Sequence, residues 1–401
     1  MMATVPVLAD GVVTLRPFAP SDARGYAALN REPENVRWSA SSAGMSEAEA
    51  LRSIEGPIAA GWRSGSTRRL AIIGPDGALA GTTALHNVRN GSASLGIKLT
   101  AAARGRGLAA RAVQLMIGYA FGAAGLNVLH WHAVVGNEPS RRLAERAGFR
   151  LEGTVRGYSY ADGVPADAWI FSLVRGDRRP GPDGVLPQVP DEVSRTGPPG
   201  AAELEAELDI AAVVPVLSDG TVRLRALAEG DIDQLVANCL DPDAVRWTTV
   251  PLNYTAEDAR SFIFEAVPGW WKDGSQQNFA VADARTDRLL GSVGLHAFRA
   301  SVAEVGVNIG PENRGTGAAE RACRLLLDYA FDQLNLEYLY WRTVVPHWAS
   351  RKLAWKLGFR FDAELRGFLD DRGNAADAWV LSLARGDARE PAAPWDGPAC
   401  G

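Results

Sequence analysis

The feature that most constrains the fold of this 401-residue chain is a long internal repeat. The segment Val36-Arg37-Trp38 returns as Val245-Arg246-Trp247, an offset of 209, and Ala166-Asp167-Ala168-Trp169 returns as Ala376-Asp377-Ala378-Trp379, an offset of 210. The inserted residue falls beside the turn signal Pro75-Asp76-Gly77, where a change of length costs little. Solenoid units repeat about every 20 to 50 residues. The offset of 209 to 210 residues is much longer, so it predicts two duplicated domains.

The segment between the copies, residues 180–200, is rich in proline and glycine and poor in aromatic residues. Such a segment cannot bury enough apolar surface to offset the entropy lost on folding. We therefore predict an N-terminal domain at 12–178, a linker at 179–212, a C-terminal domain at 213–388 and a flexible tail at 389–401.

Composition excludes several classes of protein. Hydrophobic residues make up 47% of the chain and charged residues 22%, which is typical of globular domains with real cores. The net charge is −5 without a long basic run, so we expect no nucleic-acid partner. We expect no membrane partner, because no stretch approaches the roughly 20 apolar residues of a spanning helix and no signal peptide is visible. The cysteines (Cys239, Cys323 and Cys400) form no CxxC pair, which predicts reduced thiols, no metal site and a cytoplasmic location.

Hydrophobic periodicity predicts an α/β fold, in the α+β sense, for each copy. In the first copy a short strand begins at Thr14-Leu15-Arg16 and a helical stretch follows Asp22, a candidate N-cap. The predicted later elements alternate between strands and helices. They are a hairpin at 69–73 and 81–86, a strand at 93–99, a helix at 107–123, a central strand at 128–135, a helix at 140–147 and a last strand at 169–174.

The most informative segment is a loop between the strand at 93–99 and the following helix. It reads Arg104-Gly105-Arg106-Gly107-Leu108-Ala109 in the first copy and Arg314-Gly315-Thr316-Gly317-Ala318-Ala319 in the second, and both fit R-x-x-G-x-A. Glycines allow close approach of the backbone, a helix N-terminus supplies unpaired N–H groups, and arginine adds charge-assisted contacts. One such motif would indicate a plain tight turn, but two copies in matched context favour a diphosphate site.

Other phosphate-binding loops fit less well. The first loop faintly matches a dinucleotide fingerprint, but the second copy has Glu320 where the third small residue belongs. No acidic residue follows at the position that binds ribose, and neither loop has the Gly-Lys-Ser/Thr of a P-loop.

An ordered set of motifs in each copy resembles the GNAT acetyltransferases, specifically the branch of the ribosomal-protein N-terminal acetyltransferases RimJ and RimL. The set consists of Leu15-Arg16-Pro17 near Asp22, the Arg104–Ala109 loop, Asn137-Glu-Pro-Ser140, Ala147-Gly-Phe149 with Glu152-Gly153, and Asp167 before the last strand. The resemblance covers residues 12–178 and 221–388. It implies two tandem GNAT domains, each a mixed, mostly antiparallel sheet with flanking helices and a splayed central strand pair.

The resemblance also implies the cofactor and partners. Acetyl-CoA, or another acyl-CoA, would donate its acyl group to an amine acceptor, and the sequence leaves the oligomeric state open. Pantetheine would lie between the strands at 93–99 and 128–135, with a bulge at Gly96 and Gly306 opening the gap. The residues assigned to the cofactor in this way are Ile97, Leu99, Arg104, Gly105, Arg106, Gly107, Leu108, Ala109 and Asn137, and Val307, Ile309, Arg314, Gly315, Thr316, Gly317, Ala318, Ala319 and His347.

Three residues are assigned to catalysis. The resemblance places Ser140 and its counterpart Ser350 near the thioester sulfur, although serine is also favoured in the first turn of a helix. Glu304 lies in a strand where the family often has a carboxylate near the amine, and it could act as a base or be an ordinary solvent-facing residue. The first copy has Ser94 at that position, so we expect the second copy to be the better acyltransferase.

Several further residues support more than one interpretation. Asn137, which the resemblance places on pantetheine, is also a candidate N-cap, and His347 replaces it in the second copy. His86 and His296 end equivalent strands, where a structural role is the commoner one. The tryptophans are expected in the core or cleft wall: Trp38, Trp62, Trp169, Trp247, Trp271 and Trp379.

The leading hypothesis is an N-acetyltransferase of a primary amine that belongs to a small molecule, a peptide or a protein N-terminus. Two alternatives remain open at this point. One half could be catalytic while the other only binds CoA or has a structural role, or the chain could be a non-enzymatic acyl-CoA-sensing scaffold.

Overall fold

The computed structural model describes residues 5–39, 44–161, 164–177 and 214–398. The whole predicted linker, the end of the tail and Cys400 therefore lie outside the described residues. Contacts within the chain define two compact units. Unit 1 comprises Met1–Ala201 together with Glu364–Asp377, and unit 2 comprises Ala202–Ala363 together with Ala378–Gly401.

The first copy contains eight described strands and six helices. The strands are β1 (Leu8–Ala9), β2 (Thr14–Arg16), β3 (Arg68–Ile73), β4 (Leu79–Arg89), β5 (Ser92–Leu99), β6 (Val128–Val134), β7 (Arg150–Ala161) and β8 (Val164–Val174). The helices are α1 (Ala23–Arg31), α2 (Pro33–Arg37), α3 (Glu47–Ser53), α4 (Ala59–Ser64), α5 (Leu108–Phe121) and α6 (Glu138–Arg146).

The second copy repeats this order. Its strands are β9 (Leu217–Ser218), β10 (Val222–Arg225), β11 (Gln277–Asp283), β12 (Leu289–Arg299), β13 (Val302–Ile309), β14 (Tyr338–Val344), β15 (Arg360–Asp371) and β16 (Asn374–Ala384). Its helices are α7 (Ile232–Leu240), α8 (Pro242–Trp247), α9 (Ala256–Ser261), α10 (Val267–Asp273), α11 (Ala318–Asp328) and α12 (Trp348–Lys356).

The strands of the first copy lie in the order β1-β2-β3-β4-β5-β6-β8-β7. All of the described pairs are antiparallel except β5 with β6, which run parallel. In the second copy β13 and β14 form the matching parallel pair. The predicted mixed, mostly antiparallel sheet with flanking helices is confirmed.

Helix α5 covers one face of the first sheet, and the largest apolar cluster of the unit lies between them. Leu108, Val113, Met116 and Ile117 of this helix are almost fully buried with Leu95 of β5. A buried leucine side chain stabilises the fold by about 1.5–3 kcal/mol through removal of apolar surface from water. A second cluster, built from α1, α3 and Ile58, packs separately. Helix α5 therefore fixes the position of the loop that precedes it.

Two expectations need correction. Strand β7 was not predicted, because Gly153 and Gly157 interrupt its apolar pattern, and it is stabilised by pairing with β8. Asp22 occupies the residue before α1 but its side chain does not cap the helix. Its carboxylate instead accepts hydrogen bonds from Arg16 at 2.7 and 2.9 Å and from the Ala19 amide at 2.7 Å.

Candidate functional site

The loop between β5 and α5 presents a row of backbone amides. Gly105 and Gly107 have φ of +73° and +76°, a left-handed conformation that glycine adopts without strain. The amides from Gly105 to Ala109 have no hydrogen-bond acceptor among the described residues. A Cβ atom at either glycine would meet nothing within 4 Å. The loop therefore combines open space with unpaired donors at a helix N-terminus, which is the chemistry that binds a diphosphate.

The first arginine of each loop is a brace. Arg104 donates to Glu32 at 2.9 Å and to the Leu99 carbonyl at 3.1 Å, so its guanidinium ties the loop to the start of α2. Arg314 makes the matching contacts with Asp241 and with the Ile309 carbonyl. Much of the donor capacity of these arginines is used within the protein. The backbone amides are therefore the principal hydrogen-bond donors that the loop offers to a diphosphate.

The central strands separate where the motif analysis expected a gap. β5 pairs with β6 only from Ser92 to Ser94, and β13 pairs with β14 only from Val302 to Glu304. The last residues of β5, from Leu95 onward, have no paired neighbour on the β6 side. This strand edge is therefore open to an extended ligand such as pantetheine, although the carbonyls of Gly96 and Leu99 already accept side-chain hydrogen bonds.

A cavity of about 1080 Å³ opens at this gap in the first copy. It brings together most of the predicted residues of that copy, namely Ile97, Leu99, Arg104, Gly105, Gly107, Ala109, Asn137 and Ser140. Two predicted residues do not line it. Leu108 is buried in the core, and Arg106 is half exposed with its guanidinium 3.9 Å from Asp76.

The strand and helix after the gap fix the orientation of Ser140. The side chain of Asn137 accepts a hydrogen bond from the Ser140 amide at 3.2 Å, so Asn137 is the N-cap of α6. The indole Nε1 of Trp131 donates to Ser140 Oγ at 3.0 Å. Because that oxygen already accepts, the hydroxyl hydrogen is free to point toward another acceptor. Trp341 and Ser350 repeat the arrangement at 2.9 Å.

The two strand glycines do not form bulges. Gly96 pairs in plain register with Ala84, and the irregularity in this pair of strands lies between His86 and Arg89. A Cβ atom at Gly96 would lie 3.3 Å from Nε2 of His86, and Gly306 faces His296 at a similar distance. The glycine therefore makes room for the imidazole ring.

Both histidines are held neutral. Burial, with the charges of Arg69 and Lys98, lowers the pKa of His86 to about 4. Burial, with the charge of Arg342, lowers the pKa of His296 to about 4. Neither ring accepts a proton readily near pH 7, which favours the structural interpretation of this pair.

Glu304 is buried and already engaged. Its carboxylate forms an ion pair with Arg342, and its other oxygen lies 3.5 Å from Nε2 of His296. The ion pair with Arg342 therefore occupies the carboxylate that was expected to face the amine. The sequence motif could not show this partner, since Arg342 lies on β14.

The cofactor positions of the second copy differ in their contacts. The ring of His347, at the position of Asn137, contacts Trp247 with centroids 4.6 Å apart and the ring planes tilted by 48°. The hydroxyl of Thr316 donates to the Asn313 carbonyl at 2.7 Å and lies 3.4 Å from the Ala318 amide. Ala318 and Ile309 are buried, and Ala319 and Val307 pack against the core of this copy. Gly315 and Gly317 retain the left-handed conformation, at φ of +74° and +88°.

Motif reasoning did not identify several residues of the cleft. Arg69, Lys98 and Glu34 line the cavity, and Arg142 and Arg146 extend from α6 beside the loop. The predicted wall residue Trp38 lines it as well. Only their position on strands and helices next to the motifs could have indicated them.

Comparison with known proteins identifies the class. Residues 13–150 and 221–360, more than half of the chain, match the acetyltransferase (GNAT) domain family. The chain therefore belongs to the GNAT family, carries two such domains and is an acetyltransferase. Members of this family use an acyl-CoA and an amine acceptor.

Individual relatives correspond to one copy each. YdaF, a candidate ribosomal N-acetyltransferase of Bacillus subtilis (strain 168), is 31% identical over 174 residues, which is 41% of this chain and 91% of YdaF. The uncharacterized N-acetyltransferase p20 of Bacillus licheniformis is 26% identical over 40% of this chain and 92% of its own. The structure of Mycobacterium smegmatis RimJ in complex with CoA-disulfide is 26% identical, covers 43% of this chain and 88% of that chain, and has a TM-score of 0.39.

Two features are absent from the described residues. No helix there is long and apolar enough to cross a membrane. No group of three or more histidine, cysteine or acidic side chains there could hold a metal ion.

Proposed function

We propose that the first copy transfers the acetyl group of acetyl-CoA to a primary amine by direct attack on the thioester. One observation carries the proposal: a single cavity contains both the row of unpaired amides and a serine hydroxyl oriented by an indole. No covalent intermediate on the protein is required.

The residues of the cavity fit an acyl-CoA. The amides of Gly105 to Ala109 would bind the diphosphate, and the arginines Arg142 and Arg146 on α6 add positive charge beside it. The unpaired edge of β5 would hold the pantetheine amides. When bound, the thioester supplies the activated acyl group, and this chain holds it in position for attack.

Ser140 would assist the departing thiolate. Its oxygen is occupied by the indole of Trp131, so its hydroxyl is set to donate. A donor aimed at the sulfur stabilises negative charge that develops only in the transition state, which is the kind of interaction that raises kcat.

The first copy has no carboxylate at Ser94, so the acceptor itself must lose its proton easily. An α-amino group has an ordinary pKa of about 7.7–8.0, against about 10.4 for a lysine side chain. An acceptor with a free α-amine is therefore favoured, since roughly 10–40% of it is neutral between pH 7 and 7.5, against well under about 1% of a lysine side chain.

The contacts of Glu304 change our expectation of which copy performs acyl transfer. Sequence reasoning assigned acyl transfer to the second copy with Glu304 as base and Ser350 beside the thiol. Because Arg342 engages Glu304 and the ring of His347 packs against Trp247, we infer that the first copy is the principal enzyme. Acyl transfer by the second copy is the alternative that the following experiment separates.

The test compares Ser140→Ala with the matched variant Ser350→Ala in the full chain. Thiol release from acetyl-CoA is measured with a panel of amines, and CoA affinity is measured by calorimetry. We expect Ser140→Ala to lower kcat by about 10²-fold, the low end for a lost proton donor, while CoA affinity stays the same. Ser350→Ala should change neither quantity.

Two outcomes would contradict the proposal. Full turnover in Ser140→Ala, together with its loss in Ser350→Ala and Glu304→Gln, would assign the reaction to the second copy. Unchanged turnover in all three variants would remove both serines from the mechanism.

A further inference from the structure

One face of the first sheet places three basic side chains in the cavity. On β4, Ala84 pairs with Arg69 of β3, and Thr82 pairs with Lys98 of β5. Ala84 and Thr82 are two residues apart on β4. His86 lies two residues beyond Ala84. Paired residues share a face, as do residues two apart on one strand, so the three side chains occupy adjacent rows about 7 Å apart. All three line the cavity that contains Ser140.

The described part of the cavity wall carries little negative charge. Arg69 makes no ion pair within the part of the chain that the structure describes. The ammonium of Lys98 donates to a neutral group, Oδ1 of Asn30, at 3.3 Å. Among the described residues of the cavity wall the one carboxylate is Glu34, and it accepts a hydrogen bond from the indole of Trp38 at 2.9 Å.

The effect of this charge is visible on its neighbours. Burial and the charge of Arg69 lower the pKa of Lys98 to about 8. A cation that destabilises another cation indicates a local excess of positive potential. Such a cleft attracts anions and repels a protonated amine that has no anionic group of its own.

The second copy provides an internal comparison. Its register places Asn278 where Arg69 stands and Asn308 where Lys98 stands, because Asn278 pairs with Gly294 and Asn308 with Ser292. Both basic residues are thus replaced by neutral asparagine on the same scaffold. The positive face is a property of the first copy and not a requirement of the fold.

We propose that the first copy selects acceptor amines that carry a carboxylate or a phosphate, and that Arg69 and Lys98 bind this anionic group. This inference rests on the proposed function of the first copy. A guanidinium and an ammonium on one face are suited to hold a carboxylate or phosphate by charge-assisted hydrogen bonds. Amines of polycations and uncharged amines would be poor acceptors.

The experiment measures kcat and KM for matched amine pairs in the full chain with acetyl-CoA. L-Glutamic acid α-amide is compared with L-glutaminamide, and O-phosphoserinamide with serinamide, within a wider panel of amines, so that both members of each pair carry the α-amine that the proposed function favours. The wild-type protein should prefer the anionic member of at least one pair by about tenfold or more in kcat/KM, which corresponds to one charge-assisted hydrogen bond. The pair that shows the larger preference identifies carboxylate or phosphate as the recognised group.

The double variant Arg69→Asn/Lys98→Asn installs the residues that the second copy carries at these positions. It should lose the preference through a higher KM, with kcat for the neutral amine and CoA affinity maintained. Arg52→Asn/Arg63→Asn, at exposed positions on α3 and α4, also removes two positive charges and should keep the preference. Thermal unfolding checks that both variants fold.

The outcomes separate this inference from the proposed function. If the wild-type chain releases no thiol with any amine of the panel, the proposed function fails. If it acetylates amines but prefers the uncharged member of each pair, or if the preference survives in the double variant, only the selection of anionic acceptors is overturned.

Discussion

In each copy an arginine and an aspartate six positions apart connect a short strand to the start of the following helix. The strand and helix are β2 and α1 in the first copy, and β10 and α7 in the second. Arg16 and Asp22 form a two-pronged ion pair in the first copy, and Arg225 and Asp231 form it in the second. The sequence motif predicted that these residues matter but assigned Asp22 to a helix cap. The planar guanidinium matches a carboxylate better than a single backbone amide does, which explains the difference.

The pair predicts a pH-dependent stability for the first copy. Burial works to raise the pKa of Asp22, but hydrogen bonds from Arg16 and the Ala19 amide outweigh it, so the pKa lies below its ordinary value of 3.8. A carboxylate with a depressed pKa stabilises the fold above pH 3.8, and this contribution is lost as the pH falls through the folded-state pKa. Asp22→Asn should therefore lower the free energy of unfolding by about 1–3 kcal/mol at pH 7 and by much less in strong acid.

Urea unfolding at pH 7 and pH 3 measures this difference. Glu229→Gln, which removes an exposed ion pair with Arg260, is the control and should cost less than about 1 kcal/mol. A cost of Asp22→Asn that is the same at both pH values would show that the ion pair is not the cause.

At the scale of elements, the site depends on how one helix begins. Helix α5 starts at Leu108, and its apolar face anchors it to the sheet. The preceding glycines bend the loop so that successive amides point outward. An arginine brace, Arg104, then fixes the loop against α2. The second copy repeats these three features at α11: an apolar helix face, a preceding glycine (Gly317) and an arginine that ties the loop to a neighbouring helix (Arg314).

This arrangement predicts that a side chain at Gly107 blocks CoA. Asparagine tolerates the left-handed conformation better than other residues, so Gly107→Asn should fold while its side chain occupies the space that the diphosphate needs. We expect CoA affinity of the first copy to fall by about tenfold or more, the loss of at least one charge-assisted contact. Calorimetry with CoA on the full chain measures the effect.

Gly125→Asn is the matched control, because Gly125 has φ of +67° and a Cβ there would also meet open space. It should not change CoA affinity. Gly317→Asn makes the equivalent change in the second copy. Unchanged affinity in a folded Gly107→Asn protein, with loss in Gly317→Asn, would place CoA binding in the second copy.

At the scale of the whole molecule, the compact units do not coincide with the two sequence copies. Unit 1 includes Glu364–Asp377. Within this unit Nε of Arg366 donates to Glu152 at 2.7 Å and to the Ser172 hydroxyl at 2.9 Å. Glu152 is 3% exposed, so its charge depends on such partners.

Because unit 1 includes residues from both sequence copies, we can predict how the chain responds to cleavage of the linker. Limited proteolysis should cut between residues 180 and 200, a proline- and glycine-rich stretch outside the described residues, and the nicked protein should stay folded. A fragment of residues 1–178 expressed alone lacks Arg366, although Glu152 keeps Arg150 at 2.9 Å. We expect it to be less stable by about 1–3 kcal/mol than unit 1 in the nicked chain.

Thermal unfolding of the nicked chain and of the fragment tests this expectation. Equal stability of the fragment and of unit 1 would show that Arg366 contributes nothing. Unfolding of the whole chain on cleavage would contradict the separate domains predicted from the sequence.

The duplication and the family could be predicted from the sequence alone, and the sequence also indicated the loop that we propose binds the diphosphate. These features are local: glycines at fixed spacing before an apolar helix carry their meaning in about six consecutive residues. The sequence also predicted Ser140 and Asn137, because each belongs to a short motif at the start of α6. Strand β7 was missed, since its stability comes from its pairing with β8 and not from its own composition.

Only the tertiary structure decided which side chains meet across strands. From the sequence, Glu304 could be a base or a solvent-facing residue, but in the structure it is buried and paired with Arg342, 38 residues later. Arg69 and Lys98 belong to no motif, and antiparallel pairing through β4 brings them to one face of the cavity. The physical reason is that electrostatic environment is set by distance in space, whereas a motif records distance along the chain. Family and cofactor chemistry were therefore open to prediction, whereas the charge that selects the acceptor emerged only after folding.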